Sequence, residues 1–406
     1  MAGAPLACVI GDMDLVRPLG MAGIRCITVS APASPPWFSR FTAGGVPWVD
    51  PLSQPDELAE QLIERLVDFG LAQETPPVLF YEQDWELLLV SRFRKRLGEA
   101  FRFVIPEADH VEAMVDKRRF QVLADQLGWP VPRGMSLNAA SELRPEDVDL
   151  RFPILVKPMS RRTGTWKEVA ESSGGVEAKV LVVPTREGLR EVWPRVMKTE
   201  EDFLLQESIP GPESSIESYH AYIDHDGMPA GQFTGRKIRT YPSSMGYSTA
   251  LTISDAQDVA ELGRDLLGQL SFKGVAKIDF KRDADGRLQL LEINPRFTLW
   301  HHLGARAGVN LPALVYDDLT GKDRGPAVAV RPGVRWCWLQ GDARAAREQG
   351  MSWPSWLLWA LTCEARANLA WDDPMPFLRG VLWSRLRGIL PAPRGPHGPV
   401  SPGCRP

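Results

Sequence analysis

The stretch from Gly274 to Arg296 has residue types and spacing suited to binding phosphates and a cation. Lys277-Ile278-Asp279-Phe280-Lys281 alternates polar and apolar residues, so Lys277, Asp279 and Lys281 share one face of a strand. Asp285-Gly286 is a hairpin-turn dipeptide, and the return strand Leu288–Asn294 is expected to place Leu290, Glu292 and Asn294 on one face, with Arg296 beyond. If the two faces coincide, Asp279, Glu292 and Asn294 converge. Two carboxylates and an amide carbonyl make an all-oxygen site for a hard cation that also takes phosphate oxygens from a substrate. Arg296 adds a planar fork of donors for phosphate.

Two other readings compete. A charged hairpin often pairs lysine with acid across its ladder without binding anything. Asp283, Asp285, Gly286 and Glu292 also match part of a calcium-loop spacing, but that loop needs an oxygen ligand where Lys281 stands and helices on both sides. The calcium reading fails. Against the plain hairpin, Val275, Ile278, Phe280, Leu291 and Ile293 make the sheet largely buried, where unpaired acids are costly.

The elements around this hairpin follow from periodicity. Leu6–Gly11 reads as a buried strand and is followed by a helix to Met21 and a strand over Ile24–Val29. A helix over Asp56–Phe69, the strand Val78–Tyr81 and a helix over Trp85–Leu97 continue the alternation, which predicts a parallel α/β sheet. The first strand is followed by Gly11 and Gly20 without a GxGxxG, so a dinucleotide site there is not expected. A helix is predicted over Val111–Leu127, and a strand over Phe152–Lys157 stopped by Pro158. Polar Met159–Lys179 holds Ser172, Ser173, Gly174 and Gly175 and reads as a loop of the kind that carries function. Strands over Phe203–Ile209 and Ser218–Ile223 and a helix over Asp255–Leu270 lead into the hairpin.

Taken in order, these elements resemble the ATP-grasp superfamily between about Asp116 and Gly321. Asp116-Lys117 followed by Gly128-Trp129-Pro130-Val131-Pro132 is similar to the family's early Asp-Lys element and its sequel. Phe152–Pro158 resembles the strand ending in Lys-Pro, Leu205–Gly211 the adenine-binding hinge, and Lys277–Lys281 with Leu291–Phe297 the metal-binding pair. The resemblance implies an α/β and α+β architecture: an ATP-grasp fold over 111–320 with a lid subdomain over about 130–205, preceded by a Rossmann-like domain over 1–110. A Trp-rich helical C-terminal extension over 321–390 and a disordered tail over 391–406 complete the expected layout.

The same resemblance implies residue roles. Asp279, Glu292 and Asn294 would hold one or two Mg²⁺ ions, with Mn²⁺ as an alternative. Lys117 and Lys157 would contact the ATP phosphates, and Lys157 and Arg296 would be the catalytic charges. Gln206, Glu207 and Ile209 would meet the adenine edge, Glu213 the ribose, and Ser172–Gly175 would be part of the lid. Ser160–Glu171, with Arg161, Arg162, Trp166 and Lys167, departs from the compact lid of many members and points instead to acceptor recognition. Arg236-Lys237 is a further candidate for an acidic substrate. Cys8–Gly11 with Leu19-Gly20, Arg40, and Asn294–Phe297 with Trp300-His301-His302 resemble the D-aspartate ligase-like branch of carboxylate–amine ligases. The implied activity is amide formation from a small-molecule carboxylate and an amine through an acyl phosphate. A kinase-like phosphotransferase and a non-catalytic nucleotide-binding protein are the alternatives.

Composition agrees with this class. The 406 residues are 44% hydrophobic with net charge −4, which gives no electrostatic case for nucleic acid. Cys8, Cys26, Cys337, Cys363 and Cys404 are widely spaced, which argues against zinc and disulfides and for a cytoplasmic location. No apolar run reaches the length of a transmembrane helix. No GxSxG or HExxH occurs, and His301 and His302 read as ordinary helix residues, with His302 or His220 as minor candidates for substrate contact. The Trp-rich C-terminal region has core packing as its default reading, with a dimer surface or peripheral membrane contact as the alternatives.

Overall fold

The computed structural model describes residues 3–48, 55–138, 143–159, 180–199, 201–326 and 328–386. The predicted lid loop Ser172–Gly175, the segment Ser160–Glu171 and the tail over 391–406 lie outside the described residues.

Three sheets follow one another along the chain. The first is parallel, in the order β3-β2-β1-β4, from β1 (Ala7–Ile10), β2 (Cys26–Ser30), β3 (Thr42–Pro47) and β4 (Val78–Tyr81). Central β1 and edge strand β4 are both buried along their whole length, as expected for a parallel sheet covered on both faces. Gly11 follows β1 because a Cβ there would fall 2.9 Å from Glu82 Oε2, the oxygen that accepts from the Asp12 amide at 3.0 Å. This glycine makes room for a buried carboxylate rather than for a pyrophosphate.

The second sheet is antiparallel, in the order β5-β8-β6-β7, from β5 (Gly134–Leu137), β6 (Ile154–Pro158), β7 (Leu181–Val183) and β8 (Phe203–Glu207). β6 runs through Pro158, where a stop was expected. β7 pairs β6 only as far as Val156, so the missing amide of Pro158 costs no ladder bond on that side.

The third sheet has the order β13-β12-β9-β10-β11-β14-β15, from β9 (Ile216–Ile223), β10 (Pro229–Tyr241), β11 (Tyr247–Ser254), β12 (Gly274–Arg282), β13 (Leu288–Asn294), β14 (Arg335–Cys337) and β15 (Ala365–Arg366). The C-terminal stretch therefore contributes two strands to this sheet as well as helices. Ile278, Phe280, Leu290 and Ile293 of the β12–β13 hairpin pack against the helix Gln257–Gln269 and the aromatic pair Phe120 and Trp129. A second core joins the first sheet to the third: Val9 and Phe80 meet Phe297, Trp300 and Trp336. Gly235 of β10 is required there, because a Cβ would fall 2.2 Å from the Trp300 ring.

Two predicted helices are broken. The helix expected over Trp85–Leu97 is Asp84–Arg92 followed by Arg94–Ala100. That expected over Val111–Leu127 is Ala108–Val115 followed by Lys117–Leu127. At the second break Asp116 caps the new helix, its carboxylate accepting from the Arg119 amide at 2.8 Å. The cap sets the direction in which Lys117, the first helical residue, leaves the chain. Among the described residues no helix is long and apolar enough to cross a membrane.

Candidate functional site

Register brings the acids together. Asp279 lies directly opposite Glu292, and Lys277 opposite Asn294, across the β12–β13 ladder. The register then shifts, so that Phe280 faces Leu290 and Leu291 is the extra residue of a bulge. This corrects the expected alternation: Leu290 sits in the core with Phe280, not on the face of Glu292 and Asn294. The bulge leaves the acids on the open face and the apolar residues on the closed one.

Asp279 is buried, and both of its oxygens are engaged. Lys277 Nζ donates to Oδ2 at 2.5 Å, and the Ser218 hydroxyl, opposite on β9, donates to Oδ1. Asn294 Nδ2 donates to Glu292 Oε1 at 2.9 Å, which turns the Asn294 carbonyl oxygen towards Arg296. Two carboxylates and an amide oxygen on one small face fit a hard divalent cation, and such a cation at Asp279 competes with the Lys277 ammonium for the same charge. Among the described residues no three-residue cluster of His, Cys, Asp and Glu could hold a metal, so any such site depends on the amide.

Arg296 is placed differently from a free phosphate fork. Its Nε donates to Asp84 at 2.5 Å, Nη1 to the carbonyls of Glu82 at 2.7 Å and Phe297 at 3.2 Å, and Nη2 to Asn294 Oδ1 at 3.0 Å. Burial works against its charge, but Asp84, Glu292 and Glu82 outweigh burial and raise the guanidinium above its ordinary value. The residue ties the end of β13 to the segment after β4, with a single acceptor for Nη2 among the described residues.

Across the cleft, the second sheet presents Lys157. Its Nζ donates to Gln206 Oε1 at 2.7 Å, and Gln206 Nε2 reaches Gln121 at 3.2 Å and the Pro132 carbonyl at 3.4 Å. Burial pushes the Lys157 ammonium below its ordinary range, with the charge of Glu292 acting the other way. Lys117 donates to the Pro158 carbonyl at the end of the same strand. Lys117, Lys157 and Gln206 are thus gathered on one wall, with Glu292 electrostatically coupled to Lys157 from the other.

Of the hinge, Gln206 stands on this wall, and the residues after it are engaged elsewhere. The Glu207 carboxylate turns away to the Arg151 amide at 3.0 Å and the Arg151 guanidinium at 3.2 Å, and its own amide donates to the Arg133 carbonyl. Ile209 is half-buried in the loop after β8, and Glu213 begins the short turn Glu213–Ser215. Lys281 donates to the Gly211 carbonyl at 2.8 Å and is pushed down by burial, with Glu213 opposing and Lys237 adding to the shift. That bond fastens the hinge to β12. Lys277, Lys281 and Ser218 were not singled out as site residues. The alternation carrying Asp279 marked the two lysines, whereas Ser218 lies on another strand and left no local signal. Arg236 is exposed on β10.

The two candidate histidines, His220 and His302, are closed off, as is His301. His220 is fully buried, stacked on Phe233 at 4.5 Å and against Trp300 at 4.7 Å. Burial pushes His220 and His302 well below their ordinary range and His301 down to about 3. This places His220 and His302 in the core rather than in contact with substrate.

A cavity of about 230 Å³ opens at the C-terminal ends of β1, β2 and β4, lined by Asp12, Ser30, Trp48, Glu82, Trp85 and Glu86 among others. In parallel sheets this end, where neighbouring strands run on to opposite sides, is where ligands bind. Burial, with Asp12 adding to it, pushes Glu82 up to about 7, and burial pushes Glu86 up to about 8. Glu82 Oε1 is buried with no hydrogen-bond partner among the described residues. The Glu82 carbonyl is the acceptor of Arg296, so one guanidinium connects this cavity to the acid–amide face.

The family described as "ATP-grasp in the biosynthetic pathway with Ter operon" matches residues 199–341. The D-aspartate ligase of Enterococcus faecium (strain Aus0004) is 23% identical over 243 residues, covering 57% of this chain and 55% of that protein. Among solved structures, N5-carboxyaminoimidazole ribonucleotide synthetase in complex with ADP aligns with a TM-score of 0.60 at 13% identity, over 82% of this chain and 81% of that one. The L-amino acid ligase from Bacillus licheniformis aligns with a TM-score of 0.59 at 14% identity, over 82% and 79%. The chain spans a little over half the length of the curated relatives it matches.

Proposed function

From the premise that the chain belongs to the ATP-grasp superfamily, we propose that it is an ATP-dependent carboxylate–amine ligase of the D-aspartate ligase-like branch. The observation that carries this reading is the opposition of Asp279 and Glu292 across β12 and β13, with Lys157 coupled to Glu292 from the facing sheet. Cations on one wall and an all-oxygen donor set on the other suit a polyphosphate held through a divalent ion.

Asp279, Glu292 and Asn294 would hold Mg²⁺ or Mn²⁺, which would supply positive charge against the negative charge of the phosphates. Lys157 and Lys117 would balance the charge of the transferring phosphoryl group. Gln206 fixes the Lys157 ammonium at 2.7 Å and so sets its direction. Gln206, Glu207 and Ile209 would border the adenine, and Glu213 the ribose. The Glu207 side chain is committed to Arg151 and its amide to the Arg133 carbonyl, so it would meet the base through its carbonyl. Arg296 would act mainly as a positioning residue, fixing Asn294 against the loop that carries Asp84.

The reaction needs no protein nucleophile. A substrate carboxylate oxygen bonds to the γ-phosphorus as the β–γ bridge breaks, giving an acyl phosphate and ADP. The amine nitrogen then bonds to the acyl carbon, the carbon–oxygen bond to phosphate breaks, and the nitrogen loses its proton to phosphate or solvent. The cavity beside Glu82 is suited to the substrate bearing the amine, since its lining is acidic and aromatic. In this reading 1–110 forms the Rossmann-like domain, 111–320 the ATP-grasp core and 321–390 the extension.

The test is ADP release from the purified protein with a panel of carboxylates alone, amines alone, and both together. Release that requires both supports the ligase. Release that tracks a hydroxyl acceptor makes the protein a phosphotransferase, and tight ATP binding without turnover makes it a nucleotide-binding protein.

A further inference from the structure

Close to the C-terminus a helical segment presents an apolar face to solvent. Pro376–Trp383 is π-helical and runs directly into Ser384–Leu386. Its inner side is fixed: Pro376, Gly380, Val381 and Ser384 are buried, and a Cβ on Gly380 would fall 2.6 Å from Pro35 Cα. Backbone therefore meets backbone at the turn Pro35–Phe38, so the segment cannot roll to hide its other side. The same attachment is secured by Asp373, which accepts from the Ser39 hydroxyl at 2.6 Å and the Arg40 amide at 3.0 Å.

The outer side carries Met375, Leu378, Leu382, Trp383 and Leu386, with Leu386 73% exposed and Trp383 52%. Arg379 and Arg385 are exposed on the same segment. The charge pattern is one-sided. From Pro374 to Pro406 the sequence contains five arginines (Arg379, Arg385, Arg387, Arg394 and Arg405) and no aspartate or glutamate, in a chain whose net charge is −4. Leucine and tryptophan beside arginine, without acids, is the composition of a helix that lies in the headgroup region of an anionic bilayer. A symmetric contact with a second copy would set this patch against itself, arginine facing arginine, which repels.

We propose that the segment from Met375 to Leu386 is a peripheral docking surface for an anionic lipid membrane, with Leu378, Leu382, Trp383 and Leu386 entering the interface and the arginines meeting the headgroups.

Flotation of the full-length protein with vesicles tests this. One set is phosphatidylcholine alone and the other holds about 30 mol % phosphatidylglycerol. The protein is expected to float with the anionic vesicles only and to be released as salt rises. L382E/W383E should lower vesicle binding by roughly tenfold or more, and R379Q/R385Q should abolish the preference for anionic lipid. Both variants lie on the exposed face, and unchanged binding of a fluorescent ATP analogue reports that they are folded. Three results overturn the proposal. The first is a protein that stays with the soluble fraction for both vesicle types. The second is a dimer in light scattering that L382E/W383E dissociates, which assigns the face to a second copy. The third is vesicle binding that arises only when residues 387–406 are removed, which assigns the face to the chain's own C-terminus.

Discussion

Glu292→Gln separates the cation site from the fold. The side chain is exposed, and its Oε1 accepts from Asn294 Nδ2 at 2.9 Å, a bond that a glutamine oxygen preserves. Its loss as a structural element is therefore small, within about 0.5 kcal/mol for a surface substitution of this kind. The electrostatic loss is larger. Two unit charges about 4 Å apart at an effective dielectric near 20 interact by about 4 kcal/mol, and a divalent ion at shorter range gains more before its lost hydration is counted. Since the glutamine oxygen remains a ligand, about 3 kcal/mol is a reasonable net loss, or roughly 10²-fold in metal affinity. The assay is a Mn²⁺ titration in the presence of ADP, followed by water-proton relaxation, with thermal unfolding measured on the same sample. The expected result is a roughly hundredfold weaker Mn²⁺ affinity with Tm within about 2 °C of wild type. An unchanged Mn²⁺ affinity would refute the assignment of Glu292, and an unfolded variant would refute the claim that its role is not structural.

Three further outcomes follow from the same geometry. Lys157 holds a charge that burial disfavours, so nucleotide affinity should fall on the alkaline side at a lower pH than an ordinary lysine titrates. Lys157→Arg should remove that decline, as read by titration of a fluorescent ATP analogue against pH. Arg296→Lys breaks the fork shared by Asp84, Glu82, Asn294 and Phe297 and should cost about 2 kcal/mol in denaturant unfolding, because the buried guanidinium's hydrogen bonds to two carbonyls, an amide oxygen and the half-buried Asp84 carboxylate are lost. Loss of nucleotide binding without loss of stability would show instead that Arg296 acts on phosphate directly. For Glu86 the sign is that of an acid raised on folding: the folded state binds the extra proton, so stability falls as pH rises from about 4.5 to about 8. Glu86→Gln keeps an acceptor for the amides of Glu82 and Gln83 and should flatten that fall, measured by urea unfolding at pH 5 and pH 8.

What could be read from the sequence was what depends on local period. The alternation through Lys277–Lys281 and the Asp285-Gly286 turn placed the hairpin, because a strand's two faces are written at every second residue. Three strands of the first parallel sheet were legible, with Val78–Tyr81 at the predicted bounds, whereas β3 was not expected. The bulge at Leu291 was not, since a register shift is decided between strands rather than within one. Periodicity ran one helix through Asp116, whereas the Asp116-Lys117 resemblance opened a helix there, where the Asp116 carboxylate caps a new one. β10 and β11 went unseen: their polar residues, among them Arg236, Lys237 and Thr249, do not look like strands until neighbours cover one face. For the site, the acids and Lys157 were named from their order along the chain. The engagement of Arg296 with Asp84 and Glu82 joins residues more than 200 positions apart and has no sequence signature.

The acyl-phosphate route is tested most directly by isotope transfer. Once a carboxylate–amine pair that supports ADP release is found, the carboxylate is labelled with ¹⁸O and the inorganic phosphate formed in the reaction is analysed by mass spectrometry. The ligase reading predicts that each phosphate carries one labelled oxygen, taken from the carboxylate as the amide forms. Product formation with unlabelled phosphate would contradict it.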